Sequence, residues 1–212
     1  MKKFPFKKLR PKLGAITASL HYNPYCDLPP TVWYTIKVEI EPLELGGSAA
    51  EPGLETLVEE PIIFDGLKFE KHQWNALTGS YKFNDDQNGS FYVSSSHNPV
   101  DVRELKLRYR DGITYEVEVL ATFHFEYEGA GYADETTSLV FTAEHRGFDF
   151  HVPSWNEPEQ VRFPAAWKIP STAPNWPPET IRQFVQRYFD LTQFSSLKIE
   201  SGMLHAKPTV PK

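Results

Sequence analysis

Four residues in the middle of the chain carry side chains of the kind from which metal sites are built. His124 and Glu126 are two apart, so on a strand they share a face. His145 and His151 stand on either side of a candidate turn at Arg146-Gly147. Imidazole nitrogens and carboxylate oxygens bind zinc, iron and manganese, and neighbouring strands would bring the four into one cluster. No H-x-H or H-E-x-x-H step supports that cluster. A metal-dependent enzyme is therefore the third of three readings.

The densest polar run is Ser94-Ser95-Ser96-His97-Asn98-Pro99-Val100-Asp101. Serine, histidine and aspartate together suggest a nucleophilic triad. Such a triad needs a base on the serine hydroxyl, a group orienting the base, and an oxyanion hole. Neighbours on an extended chain alternate faces and do not converge, and no G-x-S-x-G elbow is present. The run reads better as a strand end with a turn at Asn98-Pro99. The carboxylate pairs Glu59-Glu60, Asp85-Asp86 and Asp134-Glu135 fall in predicted loops, where they serve solubility. Phosphate loops, dinucleotide fingerprints and zinc-finger spacings are absent. The sequence assigns no catalytic residue, implies no cofactor, and points away from an enzyme.

Aromatic residues are the remaining candidates. Trp33 and Tyr92 fall on the outward parity of their strands, and Trp74 lies in the polar stretch His72-Gln73-Trp74-Asn75. With His97 and Asp101 they form the candidate binding set. Exposed rings stack on sugars or anchor a protein partner. The competing reading is that the C-terminal segments cover them.

The elements that position these residues are strands. From Ile113 to Tyr127 apolar residues alternate with polar ones, apart from Leu120. That period of two gives one dry and one wet face. The same pattern predicts strands at 13–21, 32–41, 62–70, 79–83, 90–96, 102–110, 136–144, 148–152 and 197–200. Asp111-Gly112 joins 102–110 to the long strand, setting Lys106 and Arg108 near Glu116 and Glu118. The long strand is expected to bend near Leu120-Ala121. Asn88-Gly89 predicts a hairpin between 79–83 and 90–96. Tyr34, Ile36, Val38, Leu105, Leu107, Val117, Val119, Phe123, Phe125, Leu139 and Phe141 are assigned inward.

Residues 42–61 lack an apolar period and read as a long exposed loop. Residues 153–178 hold seven prolines with Trp155, Trp167 and Trp176, a strap packed over the sheet. Ile181, Phe184, Val185 and Tyr188 recur at helical spacing, predicting one helix over about 178–194 with Pro178 in its first turn.

With 212 residues, 40 % hydrophobic and 24 % charged, the chain is of globular composition. Its one cysteine, Cys26, excludes an intramolecular disulfide and reads as a partly buried small residue. Net charge is −6, unevenly spread. Residues 1–12 hold six of the 22 basic residues and no acid; the other 16 face 28 acids, leaving −12. An acidic body disfavours nucleic acid and anionic membranes. The basic arm is expected to be a solvated tail, or to fold back on the acidic body. No secretory leader and no membrane-spanning apolar run is legible, so the cytoplasm is the expected compartment.

Gly79-Ser80-Tyr81 after Trp74, followed by His97-Asn98-Pro99-Val100-Asp101-Val102, resembles a pattern in bacterial β-rich domains without assigned function. Some small acidic proteins of this kind look like immunity partners of contact-dependent toxins. The resemblance implies a binding role and carries no functional residue across.

The expected architecture is an antiparallel β-sandwich of about nine or ten strands with one C-terminal helix and the proline-rich strap. The arm would be 1–12, a single domain 13–205, and a flexible tail 206–212. The first functional reading is a non-enzymatic protein-binding module, with an immunity-type inhibitor of a basic toxin as its specific form. The second is a sandwich that binds carbohydrate or another small ligand.

Overall fold

The protein is described by a computed structural model over residues 1–45, 57–84, 89–93, 96–126, 131–152, 165–169, 176–200 and 202–209. Its strands are β1 (Pro11–Asn23), β2 (Leu28–Ile40), β3 (Leu43–Glu44), β4 (Leu57–Val58), β5 (Ile62–Leu67), β6 (Gly79–Lys82), β7 (Gly89–Val93), β8 (Ser96–Asp111), β9 (Thr114–Phe123), β10 (Glu135–His151), β11 (Phe194–Glu200) and β12 (Met203–Pro208). The helix α1 (Pro178–Val185) precedes β11.

The fold is mainly β, but it is not an antiparallel sandwich. Seven strands in the order β1-β2-β5-β7-β8-β9-β10 form a closed barrel. Closure comes from β1 lying parallel to β10, from Gly14↔Ala143 to Ser19↔Asp149. Alternation gives each strand one dry face. It does not say whether dry faces meet across two sheets or around one. The pair that decides this joins the start of the domain to its centre, and no local turn signal marks it. All eleven residues assigned inward are buried, Phe123 and Phe125 completely. Side chains of this size fill a seven-stranded barrel.

The hairpin of β8 and β9 follows expectation, with Lys106 Nζ 3.1 Å from Glu118 and Arg108 Nη1 2.9 Å from Glu116. The irregularity near Leu120-Ala121 sits on the partner strand, where Arg103 is the extra residue between Val102↔Ala121 and Glu104↔Leu120. The expected pairing of 79–83 with 90–96 does not form. Strands β6 and β7 both pair with β8, at Glu104–Leu107 and Ser96–Val100, so they lie end to end. Residues 85–88, with most of the turn that predicted the hairpin, lie outside the described residues, as do 46–56 of the predicted loop. The flanks of that loop form a two-residue ladder, β3 with β4.

Arg146-Gly147 does not turn the chain either. Strand β10 runs through it as a bulge: register with β1 passes from Ile16↔His145 to Thr17↔Gly147, leaving Arg146 extra. Beyond the end of β9, β10 takes a new partner, β12, from Phe148↔Ala206 to His151↔Met203. Strand β11 pairs with β12. Positions 206–208, expected in a flexible tail, are thus part of β12.

The two barrel ends are closed by segments distant in sequence. At one end the basic arm is not a solvated tail. Phe4 and Leu9 are buried, Phe4 stacks on Phe125 at 5.1 Å, and Phe6 packs on Phe123 at 4.7 Å. Its rings provide the apolar area that holds it there, while the six cations stay exposed. At the other end Trp74 is pinned: its Nε1–H donates to the Gln193 carbonyl at 3.1 Å, and its backbone N–H to Gln193 Oε1 at 2.7 Å. The Tyr115 hydroxyl donates to the Trp74 carbonyl.

Helix α1 buries Ile181, Phe184 and Val185 against Phe150 and Trp176. It stops at Val185 rather than near 194. The Asp190 carboxylate accepts the Thr192 N–H at 2.9 Å and opens a separate 3-10 turn, Leu191–Gln193, in place of more helix. Of the strap, Trp167 and Trp176 are buried, and Trp155 lies outside the described residues. Cys26 is exposed rather than partly buried. Among the described residues no helix is long and apolar enough to cross a membrane.

Candidate functional site

The four proposed metal ligands are not brought together. His124 and Glu126 follow β9 on the outside of the barrel, at the end the arm closes. His145 lies inside the barrel, fully buried, and His151 is exposed at the end of β10. Crossing from inside to outside changes the face of the strand, and the bulge at Arg146 lies between His145 and His151. Among the described residues no group of three or more His, Cys, Asp or Glu is placed to hold a metal ion.

His124 instead bridges two carboxylates. Its Nε2 lies 2.9 Å from Asp101 Oδ2 and its Nδ1 3.1 Å from Asp134 Oδ2. Asp101 is buried and also accepts from Arg103 Nη2 at 2.8 Å, the bulge residue of β8. An imidazole with a carboxylate on each nitrogen is held as the imidazolium, both N–H groups donating. Desolvation lowers its pKa, but the hydrogen bonds and charges of Asp101 and Asp134 outweigh this and raise it. A raised folded value means stability present below the ordinary pKa near 6.5 and lost as pH rises through the folded one. Replacing Asp101 with asparagine is expected to move the His124 titration, followed by NMR of the ring protons, downward. An unmoved midpoint would remove Asp101 as the cause.

The polar run around His97 disperses. His97 is exposed and packs on Tyr92 at 5.1 Å. Asn98 is buried, its amide donating to the carbonyls of Phe91 and Ser96 at 3.0 and 2.8 Å. Asp101 belongs to His124, and Ser94 and Ser95 lie outside the described residues.

The three rings do not share a face. Trp33 is half-buried on the outside of β2, stacked on His21 at 4.4 Å with the Lys68 ammonium 5.7 Å from its ring. Tyr92 is 41 % exposed on β7. Trp74 is 4 % exposed and closes the barrel, so it is not a surface ring. The polar residues around it in sequence are explained by its partners: Gln193 binds its backbone and indole, and the Gln193 amide donates to the His72 carbonyl.

Beneath Trp74 sits an interior polar group, His145, which the sequence offers only as a candidate metal ligand. The Gly147 N–H donates to His145 Nδ1 at 3.2 Å, so the neutral ring carries its proton on Nε2. That Nε2 is buried and, among the described residues, has no hydrogen-bond partner. Burial pushes the His145 pKa down to about 4.

A further candidate is a surface cleft of about 310 Å³ on the β10-β12-β11 ribbon, lined by Arg146, Asp149, Ser196, Lys198, His205, Ala206 and Lys207. Cross-strand register explains it. Asp149 and Lys198 both pair with His205, and Ser196 pairs with Lys207, so one face of three strands collects them. His205 Nδ1 lies 2.6 Å from Asp149 Oδ1. This contact fixes the ring with Nδ1–H donated and Nε2 free to meet a ligand. Arg146 reaches the same face because the bulge re-aims it. Sequence reasoning missed the cleft. Its parts are six isolated polar residues on three strands, and the pairing of β10 with β12 leaves no local trace.

Comparison of the chain with models of protein families, with curated proteins and with solved structures returned no match.

Proposed function

We propose that this chain is a non-enzymatic protein-binding module that takes up an extended segment of its partner along the outer edge of β11. The supporting observation is the place of β11: among the described residues it pairs with β12 alone. Its other edge therefore presents alternate N–H and C=O groups, the template on which a further strand adds. Leu197 and Ile199 are half-buried, whereas Ser196, Lys198 and Glu200 are exposed. An added strand would thus find an apolar row on one side and a polar row on the other. The polar row leads into the cleft, where three cations face one carboxylate. This charge favours an acidic segment. The net charge of −6 favours long-range approach of a partner basic overall, as a toxin inhibitor of the immunity type would require. A carbohydrate platform has less support, since Trp33, Trp74 and Tyr92 face three different surroundings.

The test is backbone hydrogen exchange with two heptapeptides, one alternating glutamate with valine and one alternating lysine with valine. The acidic peptide is expected to slow the outward amides of β11 at least ~10-fold, as sheet pairing protects them, while the basic peptide leaves them unchanged. Exchange in β11 indifferent to both peptides would end the proposal.

A further inference from the structure

We infer that the cleft on the ribbon is a subsite for a phosphate monoester, a dianion carried on the segment that β11 takes up; this rests on the reading of β11 as a docking edge. Arg146, Lys198 and Lys207 against Asp149 leave a formal charge of +2 in the lining. A phosphate monoester brings close to two negative charges at neutral pH and three acceptor oxygens. A carboxylate brings one charge and would leave half of this unmatched.

The donors suit the group. A guanidinium, two ammonium groups and the Ser196 hydroxyl line one space of about 310 Å³. Arginine and lysine together are the usual phosphate donors, the first as a fork and the second as a point charge. Asp149 does not repel the ligand freely, because His205 occupies its Oδ1. The same bond leaves His205 Nε2 directed away from Asp149, as a hydrogen-bond acceptor on the cleft face.

The competing acids are weakly held. Arg146 pairs with Glu144 at 2.9 Å and Lys198 with Glu200 at 2.8 Å, and both cations are more than half exposed. Exposed pairs of this kind contribute little, so a dianion can replace the carboxylates. No ion pair to Lys207 is formed among the described residues. Arg146 stands there only because β10 inserts it as an extra residue, a device that otherwise costs ladder hydrogen bonds.

The experiment uses the acidic heptapeptide with its central residue as glutamate, serine or phosphoserine, titrated by calorimetry into the full chain. Inorganic phosphate and glycerol phosphate are run alongside. The phosphoserine peptide is expected to bind at least ~10-fold more tightly than the glutamate peptide. The doubly substituted K198A/K207A protein should lose that preference while keeping its melting temperature. Lys207→Ala alone, at an exposed position, should reduce it in the same direction. Equal affinity for phosphoserine and glutamate, or a preference that survives both substitutions, overturns the inference. If β11 amides are still protected by the glutamate peptide in that case, the docking edge stands and only the phosphate subsite falls. Glycerol phosphate binding as tightly as the phosphopeptide would keep the monoester chemistry and assign it to a small molecule rather than a protein segment.

Discussion

Gly147→Ala is expected to strip the β12–β11 ribbon from the barrel. Gly147 has φ +119°, a conformation L side chains rarely adopt, and a Cβ there would run into the Ala206 carbonyl and the Lys207 backbone. The backbone strain alone costs about 1–2 kcal/mol. The overlap is with backbone, which cannot rotate away as a side chain can, so β12 must move. Moving it breaks a ladder that runs from Phe148↔Ala206 to His151↔Met203 and exposes Leu204 and Ala206, both buried. The total loss should reach about 4 kcal/mol, the range reserved for named structural conflicts. A control separates strain from overlap. Gly131 also has positive φ, +81°, but no described residue lies within 4 Å of a Cβ built there. Gly131→Ala should cost only the strain. Urea melts give the two losses, and hydrogen exchange in β11 and β12 shows where the first is felt. Equal losses would mean that β10 and β12 are not in close contact at Gly147. Loss of the ribbon would also abolish the proposed peptide site.

Gly147 also marks the limit of what was legible in the sequence. In the sequence Arg146-Gly147 reads as a turn, because glycine with an adjacent polar residue is the usual signal of one. The structure uses the same conformational freedom to let two strands approach. Local chemistry is identical in both cases; the partner strand decides. The facing of Tyr34, Val117, Phe123 and Phe141 was legible for the opposite reason. Parity along a strand is a local property that any long-range pairing must respect. The barrel, the plugs and the cleft are contact properties. Phe4 was hidden by the lysines around it, Trp74 by its polar neighbours, and His205 and Asp149 by their separation in sequence. The Lys106–Glu118 and Arg108–Glu116 pairs could be read because a two-residue turn fixes their register within a few positions.

Acid is expected to destabilise the protein between about pH 6.5 and 4, and His145 should account for most of the slope in the upper part of that range. Its folded pKa is pushed down to about 4 by burial, against 6.5 when exposed. Above 6.5 the ring is neutral in both states and contributes nothing to pH dependence. Below 6.5 the unfolded chain takes up a proton that the folded chain refuses. Stability then falls by up to about 1.4 kcal/mol per pH unit, to a total of about 3 kcal/mol once both states are protonated. The sign is opposite to that of His124, whose raised pKa makes it a group that loses its contribution as pH rises. His21 and His72, lowered by partial burial, act in the same direction as His145 but are less enclosed. Carboxylates complicate the lower end, so the clean window is pH 6.5 to 5. In that window His145→Gln, which keeps an acceptor for the Gly147 N–H, should flatten the dependence of unfolding free energy on pH by nearly one proton. A variant with the wild-type slope would show that another group carries it. His145 thus destabilises the fold in acid, and among the described residues its Nε2 has no partner. A buried donor without a partner costs about 1–3 kcal/mol. The same substitution should therefore leave stability at pH 7.5 nearly unchanged or improved, whereas a residue needed only for packing would lose stability at every pH.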